Sequence, residues 1–139
     1  MESADKKSIY EHLLQTDFTR LVITVEGHSM VPTLKPGDKL MVQRGLYLPG
    51  DILTFMVENR LMVHRLLGWW FSRGTWFLVT KGDNLQGVDT LVSRDRVLGK
   101  VRFWERNSHS YKENILDRLI HLFRNIGGYC VARFKIKAH

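Results

Sequence analysis

The sequence predicts a mainly β domain of short antiparallel strands, with a short helix near the N-terminus and an amphipathic helix near the C-terminus. Between residues 20 and 106, short stretches rich in apolar and β-branched residues alternate with turn residues such as Pro36-Gly37-Asp38. Closely spaced short strands of this kind favour a compact β domain over a βαβ fold. Helical periodicity is confined to the two ends, and 139 residues suffice for one domain with a hydrophobic core.

The individual elements follow from local patterns. Ile9, Leu13 and Leu14 recur at near-helical spacing, which predicts a helix over about residues 5–16. Strands are then predicted at residues 20–27, 39–45, 75–83 and 96–106, with a hairpin over 52–70 that turns near Glu58-Asn59-Arg60 and a loop over 84–95.

Beyond residue 110 the pattern becomes helical. One stripe carries six apolar residues: Ile115, Leu116, Leu119, Ile120, Phe123 and Ile126. Gly127-Gly128 is predicted to end this helix, and residues 129–137 then read as a strand or a basic tail. The stripe is expected to pack on the β domain, or else to bind a membrane surface or a partner. We therefore divide the chain into a β domain, residues 1–110, and a C-terminal helix with a basic tail, residues 111–139, packed on or docking from the same domain.

Composition narrows the class of protein. Apolar residues make up 44% and charged residues 25% of the chain, and no apolar run reaches the about 18 residues that predict a membrane-spanning helix. The charged N-terminus does not resemble a secretory signal peptide, so a soluble cytoplasmic protein is expected. The one cysteine, Cys130, excludes an internal disulfide and is expected to be buried. We predict neither a cofactor nor a metal site.

A net charge of +7 raises the question of an acidic partner. The basic residues are scattered, with a modest concentration after Arg118, and no nucleic-acid-binding motif accompanies them. We therefore expect no nucleic-acid partner. Peripheral contact with a membrane or a partner protein through the basic C-terminal helix stays open.

The stretch "GHSMVPTLKPGD", residues 27–38, places Ser29 in a turn-rich segment. A serine hydroxyl becomes a nucleophile only when a neighbouring base takes its proton. His64 is a polar ring in an otherwise apolar predicted strand, and is a candidate base. Asp83 and Asp89 follow in the next loop, and either carboxylate could accept the Nδ1 proton of this histidine.

Five segments in this order resemble the conserved boxes of the type I signal peptidases and the related LexA-like self-cleaving repressors (the S24/S26-like serine peptidases). They are "GHSMVPTLKPGDKLMV", "PGDILTF", "MVHRLLG", "TKGDNLQGVD" and "RVLGKV", which together span about residues 21–104. The resemblance implies a compact β fold of the same kind for residues 1–110.

The resemblance also implies roles for individual residues. Ser29 would be the nucleophile, and His64 stands where many members have a lysine base, as in the serine–histidine branch of archaeal and endoplasmic-reticulum signal peptidases. Asp89 would complete the triad, and Asp83 would order its loop. Four residues around the serine are the predicted substrate-binding residues: Gly27, His28, Met30 and Pro32.

The predicted function is a serine endopeptidase that cleaves a specific precursor or leader peptide. No apolar anchor segment precedes the serine box, so a soluble relative is expected rather than a membrane-bound signal peptidase. The alternative is a catalytically silent module that keeps the fold and holds a peptide or partner protein in the cleft.

Overall fold

The computed structural model of the protein describes the backbone of residues 2–137 and the side chains of residue 5 and residues 8–126. Over these residues two helices flank eight strands. In chain order they are α1 Glu2–Gln15, β1 Leu21–Thr24, β2 Lys39–Gln43, β3 Ile52–Val57, β4 Arg60–Ser72, β5 Thr75–Lys81, β6 Val92–Ser93, β7 Val97–Arg106, β8 His109–Tyr111 and α2 Ile115–Lys137. The predicted mainly β fold with a helix at each end is confirmed.

All strand pairs are antiparallel and form one sheet in the order β1-β2-β7-β3-β4-β5-β6, with β8 paired to β7. The central strand β3 is buried on both faces: Ile52 packs into one apolar cluster, while Leu53 and Phe55 pack into another. Successive side chains of a strand point to opposite faces, which explains its almost uninterrupted apolar sequence. This core fixes the position of β4, which carries His64.

Two turns with the same sequence, Pro-Gly-Asp, shape the loops beside the sheet. Gly37 and Gly50 both have φ of +92°, a conformation that glycine adopts without strain. Proline followed by such a glycine is typical of a type II turn, and the Asp38 amide donates to the Lys35 carbonyl at 3.1 Å as that turn requires. Asp38 in turn accepts two hydrogen bonds from Arg106 on β7. The segment that carries Ser29 is therefore tied to the sheet.

The N-terminal helix covers one end of this core. Tyr10, Leu13 and Leu14 pack against the first apolar cluster. Arg44 donates to the Leu13 carbonyl at 2.6 Å, which satisfies an acceptor at the helix C-terminus. The helix begins at Glu2 rather than residue 5 and ends at Gln15.

Two short strands lie where the sequence predicts none. β6 falls inside the predicted loop 84–95, and β8 crosses the proposed domain boundary at residue 110. β6 has two residues and β8 has three, which is too few for the alternation of apolar and polar residues that predicts a strand.

The C-terminal helix differs from its prediction in two ways. α2 continues through Gly127 and Gly128 to Lys137, so the predicted helix end and the predicted strand or tail beyond it are wrong. The apolar stripe faces away from the β domain, with its six side chains between 44% and 78% exposed. The face that contacts the β domain is the polar one, through Arg118, His121 and Asn125. The expectation that the stripe packs on the sheet is therefore wrong.

Within the described residues, none of the helices has the length and apolar character needed to cross a membrane. The side chain of Cys130, which the sequence predicts to be buried, lies outside the described residues.

Candidate active site

Ser29 and His64 meet beside the sheet. Ser29 lies in the loop between β1 and β2 and is half-buried, whereas His64 lies on β4 and is fully buried. The imidazole Nε2 is 3.1 Å from the serine Oγ. The ring of Phe55 contacts the imidazole edge-to-face, which limits the orientations that the ring can adopt.

Asp89 holds the other nitrogen of the imidazole. Its Oδ2 lies 2.6 Å from His64 Nδ1, and the carboxylate is 16% exposed. An ionised carboxylate only accepts hydrogen bonds, so it pairs with a protonated Nδ1, and in the neutral imidazole Nε2 is then the acceptor that faces the serine hydroxyl. Thr80 on β5 donates to the same Oδ2 at 2.6 Å and fixes the carboxylate.

Asp83 lies in a different network. Its two oxygens accept from Arg65 Nε at 2.8 Å and from Arg65 Nη2 at 2.7 Å. Burial alone would raise the pKa of Asp83, but the hydrogen bonds and charge of Arg65, together with a hydrogen bond from Thr33, hold the pKa below its ordinary value. Burial likewise disfavours the Arg65 cation, yet its bonds to Asp83 and Glu113 keep the pKa of Arg65 above its ordinary value. The two aspartates are thus distinct: Asp89, which the resemblance assigns to the triad, contacts His64, and Asp83 contacts Arg65.

The loop that carries Asp83 is also hydrogen-bonded to the backbone around Ser29. The Asn84 amide donates to the Ser29 carbonyl at 2.8 Å, and its side chain donates to the His28 carbonyl at 3.1 Å. A Cβ atom at Gly82 would lie 2.7 Å from the Ser29 carbonyl oxygen. This distance is a steric clash, so the backbone of one of the two residues would have to shift. Glycine is therefore required for this close approach, and the Asp83 network positions the serine indirectly.

A cleft of about 510 Å³ opens beside the serine. Three of the four predicted substrate-binding residues, Gly27, His28 and Met30, line it, while Pro32 is exposed and is not part of its lining. One wall is the segment 23–30, and the other is Asn59 with the start of β4, residues 60–64. Among the described residues β1 pairs on one side only, and β4 pairs with β5 only from Arg65 onward. The cleft therefore lies between the end of β1 with the segment that follows it and the edge of β4 at residues 60–64, which pairs with no strand on that side among the described residues.

Lys81 is a further basic group near the site. Burial lowers the pKa of its ammonium below the ordinary lysine value. The ammonium donates to Asn125 Oδ1 at 2.5 Å and to the Gly82 carbonyl at 3.3 Å. These bonds direct the ammonium toward α2. In the part of the chain with described side chains, no group of three or more His, Cys, Asp or Glu residues is placed to hold a metal ion.

Several residues that shape the site are absent from the sequence-based prediction. They are Arg65, Thr80, Asn84, Glu113 and Asn125. The sequence did contain a signal for Arg65, which follows His64 in an apolar strand. A charged side chain buried in such a strand needs a partner of opposite charge, so this arginine indicates a buried ion pair. Glu113 and Asn125 lie 48 and 42 residues from the residues that they bind, and no local pattern indicates such pairs.

A known family matches most of the chain. The model of the family described as Peptidase S24-like matches residues 2–102, which include α1, the strands β1 to β6 and most of β7. A search of curated proteins found no match to the chain. The matched region covers well over half of the 139 residues and contains Ser29, His64, Asp83 and Asp89. The chain therefore belongs to the peptidase S24-like family.

Proposed function

We propose that the protein is a serine endopeptidase that cleaves a specific precursor or leader peptide. The observation that carries the proposal is the continuous contact from Ser29 Oγ through His64 to Asp89, at 3.1 and 2.6 Å, at the edge of an open cleft. Membership of the peptidase S24-like family supports the same class of reaction. Nucleophilic attack by serine needs this arrangement, a base within reach of the hydroxyl and a carboxylate that orients the base.

The reaction follows from these contacts. His64 Nε2 takes the hydroxyl proton while Ser29 Oγ attacks the peptide carbonyl carbon, and Asp89 stabilises the imidazolium that forms. The backbone N–H of Ser29 is the donor that we assign to the developing oxyanion. The imidazolium then protonates the leaving amine, leaving an acyl-serine. A water molecule deprotonated by His64 attacks this ester, releases the new carboxyl terminus and restores the hydroxyl.

The backbone along both walls of the cleft favours an extended peptide as substrate. An extended peptide lying between residues 23–27, which are the end of β1 and the segment after it, and residues 60–64 of β4 would be one added strand that bonds to both through its backbone. Met30 is 2% exposed and lines the cleft, so it limits the size of the side chain that fits next to the serine. We infer that small residues are preferred at this position.

A peptide library derived from a cellular proteome tests the proposal without knowledge of the substrate. The library is incubated with the protein or with Ser29→Ala, and new termini are identified by mass spectrometry. We expect a set of cleavages that share small residues before the cut bond and are absent with Ser29→Ala. Peptides that co-purify with both forms and remain intact would instead support a silent binding module.

Asp89→Asn is expected to lower kcat on a cleaved peptide by on the order of 10³ to 10⁴ while leaving the fold intact. The amide can present its NH₂ group to Nδ1, which favours the tautomer with the proton on Nε2, where the base is needed. Steady-state kinetics and thermal unfolding measure the two effects separately. The matched control is Asp95→Asn, an exposed aspartate on the short turn before β7. A kcat within twofold of the unmodified protein would exclude Asp89 from the triad.

A further inference from the structure

The outward apolar face of α2 is held in place by the contacts on its opposite face. Arg118 forms an ion pair with Asp51 at 2.9 Å. Asn125 accepts from Lys81 at 2.5 Å and donates to Asp83 at 3.1 Å. These polar contacts fix the rotation of the helix about its axis. The contacts on the polar face therefore keep the apolar stripe exposed on the outer side of α2.

The exposed face is broad and strongly apolar. Ile115, Leu116 and Phe123 are 78%, 64% and 66% exposed. At about 100° per residue, the six apolar positions span an arc of about 140° on the helix. A two-helix seam needs only the narrower stripe of a heptad repeat, whereas a helix lying in a lipid interface buries a wide apolar face.

The charge of this region is positive. Residues 112–137 contain six Lys or Arg and two Asp or Glu, which leaves a net of four positive charges out of +7 for the whole chain. Glu113 is paired with Arg65 at 2.8 Å and Arg118 with Asp51 at 2.9 Å, so one charge of each sign is compensated within the fold and the net of four is unchanged. A broad apolar face on a basic segment complements the surface of a membrane that contains anionic lipids.

We propose that α2 binds an anionic lipid surface through Ile115, Leu116, Leu119, Ile120, Phe123 and Ile126, with its axis in the plane of the interface. The helix lies on the membrane and does not cross it. Because the polar face of α2 contacts Lys81 and Asp83, the loop that supports Ser29 would lie close to that surface. The proposal does not depend on the peptidase activity, since binding can be measured without cleavage.

Flotation of the full-length protein with phosphatidylcholine vesicles, with and without phosphatidylglycerol, tests this inference. We expect flotation with the anionic vesicles, weaker flotation with the neutral ones, and a decrease as salt screens the charges. Leu116→Glu/Phe123→Glu is expected to reduce vesicle binding at least about 10-fold, because two apolar side chains that would lie in the lipid become charged. Both side chains are more than 60% exposed, so the fold should be retained, which circular dichroism would verify.

The matched control is Phe71→Glu/Trp76→Glu, which charges the exposed aromatic pair at the β4–β5 hairpin. Unchanged flotation of this control supports α2 as the binding surface. Equal losses from both double variants, or no flotation of the unmodified protein with anionic vesicles, would overturn the proposal. So would a dimer in light scattering that Leu116→Glu/Phe123→Glu dissociates in the absence of any lipid binding, because the stripe would then join two copies.

Discussion

His64→Gln is expected to lower kcat for peptide cleavage by on the order of 10⁴ or more, the largest effect of any single change considered for this site. Glutamine has a similar length and can still bond to Asp89, but its amide cannot take a proton from Ser29. The loss should appear in kcat rather than in KM, because the imidazole lies beneath the serine and contributes little to binding the ground state. A peptide identified in the library experiment provides the substrate.

His109→Gln is the control for this substitution. His109 is an exposed histidine on β8, bonded only to a neighbouring backbone carbonyl in the described contacts, and its replacement should leave kcat within about twofold. Thermal unfolding of His64→Gln distinguishes lost chemistry from lost folding, since this side chain is 0% exposed. If His64→Gln keeps a tenth or more of the activity, the base is another group, and Lys81 with its lowered pKa becomes the next candidate.

The residues nearest the proposed chemistry could be predicted because they lie in short segments with distinct composition. Ser29 lies in a run of turn residues, and His64 interrupts an apolar strand. The pair of aspartates could not be separated by residue type alone, because Asp83 and Asp89 occupy the same loop region. Their separation depends on where β4 places Arg65 relative to His64. Adjacent residues on a strand point to opposite faces of the sheet. His64 and Arg65 therefore bond to different aspartates, His64 to Asp89 and Arg65 to Asp83.

The orientation of α2 shows a second limit of the sequence. Periodicity identifies correctly which residues share a face, but it does not state which face meets the protein. The usual assumption is that the apolar face is buried. Here Arg118 and Asn125 find partners on the β domain, and their pairing with Asp51, Lys81 and Asp83 directs the polar face inward. Such pairs join residues far apart in the chain and leave no local pattern.

Removing the carboxylate of Asp83 should have the largest effect on stability. We expect Asp83→Ala to lower the free energy of unfolding by about 3–5 kcal/mol, because Arg65 is fully buried and would lose its bidentate partner. The guanidinium would keep two acceptors, the Glu113 carboxylate and the Gly50 carbonyl. The bonds that Asp83 accepts from Thr33 and Asn125 would be lost as well. Urea unfolding of the two forms measures the difference.

Two further variants test this cause. Asp95→Ala removes an exposed aspartate and should cost less than about 1 kcal/mol. Arg65→Met/Asp83→Ala should be more stable than Asp83→Ala alone, because no buried cation is left without its partner and Glu113 can turn toward solvent. A double variant as unstable as the single one would mean that Asp83 acts through its loop contacts rather than through the charge of Arg65.

The pH dependence of the same difference gives an independent measure of the ion pair. The pKa of Asp83 in the folded protein is lower than its ordinary value of 3.8, so the ionised carboxylate contributes to stability at every pH above that value. This contribution is lost as the pH falls through the lowered pKa of the folded state, where the carboxyl becomes protonated in both states. The stability difference between the unmodified protein and Asp83→Ala should therefore be constant near neutral pH and shrink only below about pH 4. A difference that instead narrows above pH 5 would contradict a carboxylate stabilised by Arg65, because the pKa of the folded state would then lie above that of the unfolded chain.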